Sequence, residues 1–219
     1  MSYIIPENNY IEMNSDTQVF ADKKKEKLKL LEKLLSDSNW ELVKENDDIT
    51  MKRKFLKGSK IACFKSNGLI KAGMDELVDF IWNTFDSKEN MLKNDQSIME
   101  YDVIENIDDN NRICRQINSL PWPIRSREFV FMQTKVIDEE RTYVLMFSVD
   151  YDGKIPKTPN WCVKATINIS GFVFEQEKDS CMVHRLAHIN PAGFIPIPII
   201  NNYSDKTMLM IKKMKEIYD

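Results

Sequence analysis

The chain has 219 residues, of which 42% are hydrophobic and 30% charged, and its formal net charge is −3. That length suits one large domain with a sizeable core, and the weak acidity excludes general nucleic-acid binding through a basic surface. Cys63, Cys114, Cys162 and Cys181 lie far apart with no C-x-x-C spacing, so they are expected as reduced, buried thiols of a cytosolic protein rather than a disulfide framework.

Residues 1–20 show no period and are expected as a flexible extension, with the folded domain over 21–219. A basic-plus-apolar leader is missing, and so is any run of about 18 apolar residues, the length that would span a bilayer. Ser2 stands where N-myristoylation needs glycine, and the C-terminus carries no prenylation box. A cytoplasmic protein with peripheral, reversible membrane contact is the expectation.

Leu28, Leu31 and Leu35, with Leu30 and Leu34 beside them, predict an amphipathic helix over 21–36, and the Lys-rich run at 23–29 is its solvated face. From Trp40 the period changes. Ile49, Met51, Arg53 and Phe55 alternate with Thr50, Lys52 and Lys54, a strand, and 60–70 reads as another. Met74, Leu77, Val78, Ile81, Trp82 and Phe85 share one helical face over 74–85, followed at 86–97 by a loop or short helix. Strands are predicted at 98–107, 112–119, 127–137, 141–150, 161–174 and 180–190, separated by turn-formers such as Asp108 to Asn111. The last element, after Pro196 and Pro198, is a helix carrying Ile200, Tyr203, Thr207, Met210, Met214 and Ile217 at helical steps. This order predicts an α+β fold: a strongly curved antiparallel sheet whose concave face the terminal helix covers.

Catalytic chemistry finds little support. His184 and His188 lie in one predicted strand, about 13 Å apart by strand rise, too far to ligate one metal together. No G-x-S-x-G, P-loop or G-x-G-x-x-G occurs, and six glycines are few for a phosphate-cradling loop. No catalytic residue, metal or cofactor is expected. Polar side chains on apolar strand faces say more. Gln133 shares parity with Phe129 and Phe131, Arg115 falls between Ile113 and Ile117, and Asn168 lies in a Val-Lys-Ala-Thr-Ile-Asn-Ile run. Such groups either pair with one another, face solvent, or meet a ligand with a polar head and an apolar body. Pro121-Trp122-Pro123 is a stiff turn that holds out a large ring, for which a core, a partner and a membrane interface are all open.

Over about residues 25–217 the chain resembles the START (StAR-related lipid-transfer) domain family. The resemblance rests on Trp40-Glu41-Leu42, on Pro121-Trp122-Pro123 with Arg127-Glu128-Phe129, on Phe147-Ser148-Val149-Asp150 with Val163-Lys164-Ala165, and on Asn190-Pro191-Ala192-Gly193-Phe194-Ile195-Pro196. It implies a helix-grip fold, with a curved antiparallel sheet of about nine strands around a long C-terminal helix and an internal lipid tunnel. The chain looks most like the START domains of ceramide-transfer and phosphatidylcholine-transfer proteins. Carried over residue by residue, Asp95, Gln116, Phe129, Gln133, Met146 and Asn168 fall at lipid-binding positions. Asn94 and Met91 replace the tryptophan and the arginine that accompany the acid in those relatives. Met146 replaces an asparagine and Asn168 a cage tyrosine, so the sterol-type ion pair is absent and the choline cage partial.

The resemblance implies a non-enzymatic, monomeric carrier of a single lipid, a phospholipid or a ceramide-like sphingolipid, in transient contact with membranes and without nucleic acid. The alternative is a lipid-sensing module that reports occupancy to a protein partner. Trp122 and Phe194 are the expected membrane anchors. Tyr203 and Met210 join them at the gate formed by the terminal helix, where Met208 and Met214 are candidates either for the lipid-facing surface or for the core.

Overall fold

Alternation of apolar and polar side chains drives most of the chain into one sheet, and the computed structural model describes residues 15–151, 153, 155–193, 195, 196, 200 and 205–219. The expected roles of Phe194 and Tyr203 lie outside the described residues. The elements in chain order are α1 (Ser15–Ser36), β1 (Glu41–Asn46), β2 (Ile49–Phe55), β3 (Ala62–Ile70), α2 (Met74–Thr84), α3 (Lys88–Asn94), β4 (Ile98–Asp108), β5 (Asn111–Asn118), β6 (Ser126–Ile137), β7 (Arg141–Ser148), β8 (Cys162–Lys164), β9 (Thr166–Glu177), β10 (Ser180–Asn190) and α4 (Asp205–Tyr218). Among the described residues the sheet has ten strands in the order β1-β2-β3-β10-β9-β7-β6-β5-β4, with β8 attached to β6. This is the helix-grip arrangement.

Three departures from the sequence reading have a visible physical cause. The helix expected from residue 21 begins at Ser15, because Phe20 packs against the cluster of Ile113, Met132, Phe147 and Val149. The strand expected at 161–174 is two strands. Cys162–Lys164 runs parallel to β6, in register Ser126 to Cys162, and after the Ala165 N–H bonds the Glu128 carbonyl (2.8 Å) the chain leaves β6 to form β9 between β7 and β10. The strand expected at 141–150 ends at Ser148, whose hydroxyl accepts the Ile167 N–H at 2.9 Å.

The two faces of the sheet bury different layers. On the inner face Met51, Phe131, Phe172 and Phe174 pack with Leu77 and Ile81 of α2 and with Met208, Ile211 and Met214 of α4. On the outer face Tyr143, Leu145, Ile169 and Leu186 pack under Leu31 and Leu34 of α1. Each fully buried side chain of this size contributes about 1.5–3 kcal/mol. Gly68 lets α4 lie close to β3, since a Cβ there would stand 3.0 Å from Cγ2 of Ile211. All four cysteines are free and buried.

Candidate functional site

Strand parity turns Phe64 of β3, Phe131 of β6, Phe172 of β9 and Ala187 of β10 toward one interior space, a cavity of about 300 Å³. Its remaining walls come from Met91 of α3, from loop residues Leu120, Pro121 and Ile124, and from Leu209 and Met210 of α4. Apolar side chains therefore dominate the lining, and three of its polar groups stand out.

The first is a string of hydrogen bonds beside α4. Gln116 Nε2 donates to Asn118 Oδ1 (2.6 Å), Asn118 Nδ2 to Ser97 Oγ (3.0 Å), and Lys206 Nζ to both Ser97 Oγ (2.6 Å) and Asp95 Oδ2 (2.7 Å). Asp95 is the C-cap of α3, so this ion pair ties α3 to α4. Burial raises the Asp95 pKa, but Lys206 and Ser97 outweigh it and hold the carboxyl below its ordinary range. The second is Arg127, whose Nε, Nη1 and Nη2 donate to the carbonyls of Pro191, Arg125 and Ala192. It clamps β6 to the 191–193 loop, where Gly193 takes φ +64° and a Cβ would come within 3.4 Å of the guanidinium. The third is Arg185 of β10 with Ser170 of β9, joined by a 2.8 Å hydrogen bond.

Of the six residues that the sequence marks for lipid contact, Asp95, Gln116, Phe129 and Met146 are on the cavity wall. Gln133 and Asn168 are not. Gln133 is fully buried away from the cavity and its Oε1 accepts from Arg112 Nε at 2.7 Å, while Arg112 also donates to the Trp82 carbonyl under α2. Its Nε2 has no acceptor among the described residues. Asn168 is displaced by the irregularity between His188 and Ile189, so it lines a neighbouring, more open pocket with His188 and the 56–61 turn. Arg115, grouped with these two on parity, belongs to the opposite face and pairs with Glu128. Of the methionines, Met210 lines the cavity, while Met208 and Met214 are core.

One end of the cavity is built by the Leu120–Ile124 loop, by Pro191 and Ile195, and by the start of α4. In that loop the Ile124 N–H bonds the Pro121 carbonyl (2.9 Å) and Trp122 is 93% exposed. Arg125 Nη2 donates to the Asn160 (2.6 Å) and Cys162 (2.7 Å) carbonyls, which brings a second tryptophan, Trp161, 46% exposed, to the same end. Sequence reasoning missed Trp161, Lys206 and Arg185. Only Arg185 had a readable signal, its parity with Val183, Ala187 and Ile189.

Comparison with known proteins gives a consistent picture. The model of the START domain matches residues 21–216. The ceramide transfer protein of Mus musculus is 27% identical over 188 residues, covering 75% of this chain and 29% of that protein. The chain thus spans under a third of the length of the curated relatives it matches. Among solved structures, human StAR-related lipid transfer protein 5 superposes with a TM-score of 0.78 at 13% identity, covering 92% of this chain and 97% of the other. A StAR-related lipid transfer protein from Xanthomonas axonopodis superposes with a TM-score of 0.67 at 19% identity, covering 82% and 98%. At these identities the structural likeness shows the fold.

Proposed function

The chain belongs to the START domain family, and from that premise we propose that it is a non-enzymatic carrier that takes one lipid out of a membrane, holds it in the cavity and delivers it to another. The observation that carries this reading is a mainly apolar, partly open cavity whose end wall is made of separable parts beside an exposed tryptophan. Moving a lipid alone is slow because its chains must meet water. At about 0.8 kcal/mol per CH₂, a lipid with about 30 methylenes faces about 25 kcal/mol of exposure. A closed apolar cavity removes most of that cost.

The same closure demands a gate. A space of about 300 Å³ is at the small end for bound ligands, so a two-chain lipid enters only if the walls part. The Leu120–Ile124 loop and α4 are the movable candidates, because side-chain bonds and packing, rather than strand pairing, hold them to the sheet. Trp122 then seats the loop in the interface while α4 swings, and both close again in the cytoplasm. Asp95, Gln116, Phe129 and Met146 are the proposed lipid-contacting residues. Transfer of labelled lipid between donor and acceptor vesicles tests the reading, with native mass spectrometry of the purified monomer to name any co-purified lipid. No transfer of any phospholipid, sphingolipid or sterol would defeat it.

A further inference from the structure

Arg185 stands on the cavity wall without a counter-charge among the described residues. Its guanidinium lies over the Phe172 ring at 4.5 Å. Nη1 donates to Ser170 Oγ (2.8 Å), the Gly171 carbonyl (3.1 Å) and the Leu186 carbonyl (2.5 Å), all neutral acceptors. Among the described residues, Nε and Nη2 have no acceptor and no carboxylate forms an ion pair with this side chain. The other cations of the lining differ: Lys206 is paired with Asp95, and every nitrogen of Arg127 is on a carbonyl. Burial lowers the Arg185 pKa to about 10, which still leaves it charged at neutral pH. Arg185 is half-buried on the cavity wall, and a cation partly withdrawn from water carries a cost that an anion would offset. The chain as a whole carries −3, so any attraction for an anion here is local to this side chain.

We propose, resting on the carrier reading above, that the cargo is an acidic amphiphile whose carboxylate or phosphate seats on the Nε–Nη2 edge of Arg185 while its alkyl part fills the cavity. That edge presents parallel N–H groups at the spacing of two oxygens of one oxyanion, the geometry in which arginine excels over lysine. A neutral ceramide-type head has no charge to match it. Two sources share the chemistry: a single-chain fatty acid, which suits the small cavity as it stands, and a two-chain phospholipid, which needs it widened.

Matched pairs separate charge from lipid binding. The full chain is offered palmitate or palmitamide, and phosphatidic acid or the diacylglycerol of the same chains, each carried in phosphatidylcholine vesicles. Protein-bound lipid is measured after flotation. The charged member of at least one pair is expected to bind about 10- to 100-fold more tightly, and the responding pair names the source. Arg185→Met is expected to abolish that preference while retaining the neutral member. Arg185→Lys, which keeps the charge without the fork, should keep part of it. Equal uptake of charged and neutral members, or a preference that survives Arg185→Met, overturns the inference alone. Uptake of no member of either pair overturns the inference alone if the protein still transfers phosphatidylcholine, a sphingolipid or a sterol between vesicles, and overturns the carrier reading with it if none of these moves. Thermal melting checks the fold: Arg185→Met is expected to melt no lower than the parent, and a clear fall would show that the cation serves the fold instead of a ligand.

Discussion

Arg115 and Arg185 occupy opposite faces of one sheet, the first almost fully buried and the second half-buried on the cavity wall, and their surroundings could hardly differ more. Arg115 Nε donates to Glu128 Oε1 (2.7 Å) and Nη1 to Glu100 Oε2 (2.8 Å), and both Arg115 and Glu128 are almost fully buried. Burial works to lower its pKa, yet the two glutamates win and raise it. On the cavity side Arg185 meets neutral acceptors and the Phe172 ring but, among the described residues, no carboxylate, and burial lowers its pKa. A charge that serves the fold brings its counter-charge in the sequence. A charge left on a cavity wall without one is, on the inference above, matched by the cargo.

The largest expected effect breaks the outer pair. Glu128→Ala leaves the Arg115 guanidinium buried and partly unpaired, which should cost about 3–5 kcal/mol in chemical denaturation. Arg185→Met, by contrast, should leave stability unchanged or raise it. If both variants lose comparable stability, the distinction between the faces collapses.

A smaller effect belongs to Asp95, which is paired like Arg115 but lies on the cavity wall and is partly solvated. Asp95→Asn should cost about 1 kcal/mol, since pairs in contact with water are worth little. The pH dependence has a definite sign. The folded-state pKa of Asp95 lies below its ordinary value. Its contribution is therefore complete above the unfolded carboxylate range, near pH 4, and is lost as pH falls through the folded value. Melting temperature measured against pH should fall less steeply with acid in Asp95→Asn than in the parent. Parallel acid limbs would show that the tie between α3 and α4 adds nothing.

Periodicity made most of this fold legible. The period-2 runs at 49–55 and 180–190 and the period-3.6 run at 74–84 are strands and helix with nearly the expected ends, because each alternates against a buried layer. The site was less legible. Parity tells which residues share a face but not which face is inside, so Arg115 and Gln133 looked alike although one is on the outer face and the other lies beneath α2. Asn168 followed the pattern too, until the irregularity at His188 and Ile189 displaced it. Lys206 comes to Asp95 only through the docking of α4, a tertiary event with no local signal. Arg185 could have been placed on the inner face from parity alone, but that it has no carboxylate partner among the described residues is a property of all its neighbours together.

The smallest stability effect is expected at the cavity's end, where the contrast with the buried arginines is greatest. Trp122, 93% exposed, makes so little contact with the fold that Trp122→Ala should change stability by no more than about 0.5 kcal/mol. A large ring held in water without a packing role is what the proposed membrane contact calls for, since indole favours the membrane interface. Trp161 gives the same end a second ring that is half sheltered by the Arg125 bonds. Sedimentation with neutral phosphatidylcholine vesicles should therefore show weaker binding for Trp122→Ala, a lesser loss for Trp161→Ala, and the greatest loss for the double variant. Neutral vesicles matter, because they remove any attraction between surface lysines and anionic lipid. If the double variant sediments like the parent, the exposed rings are not the anchor, and the gate must engage the membrane through α4.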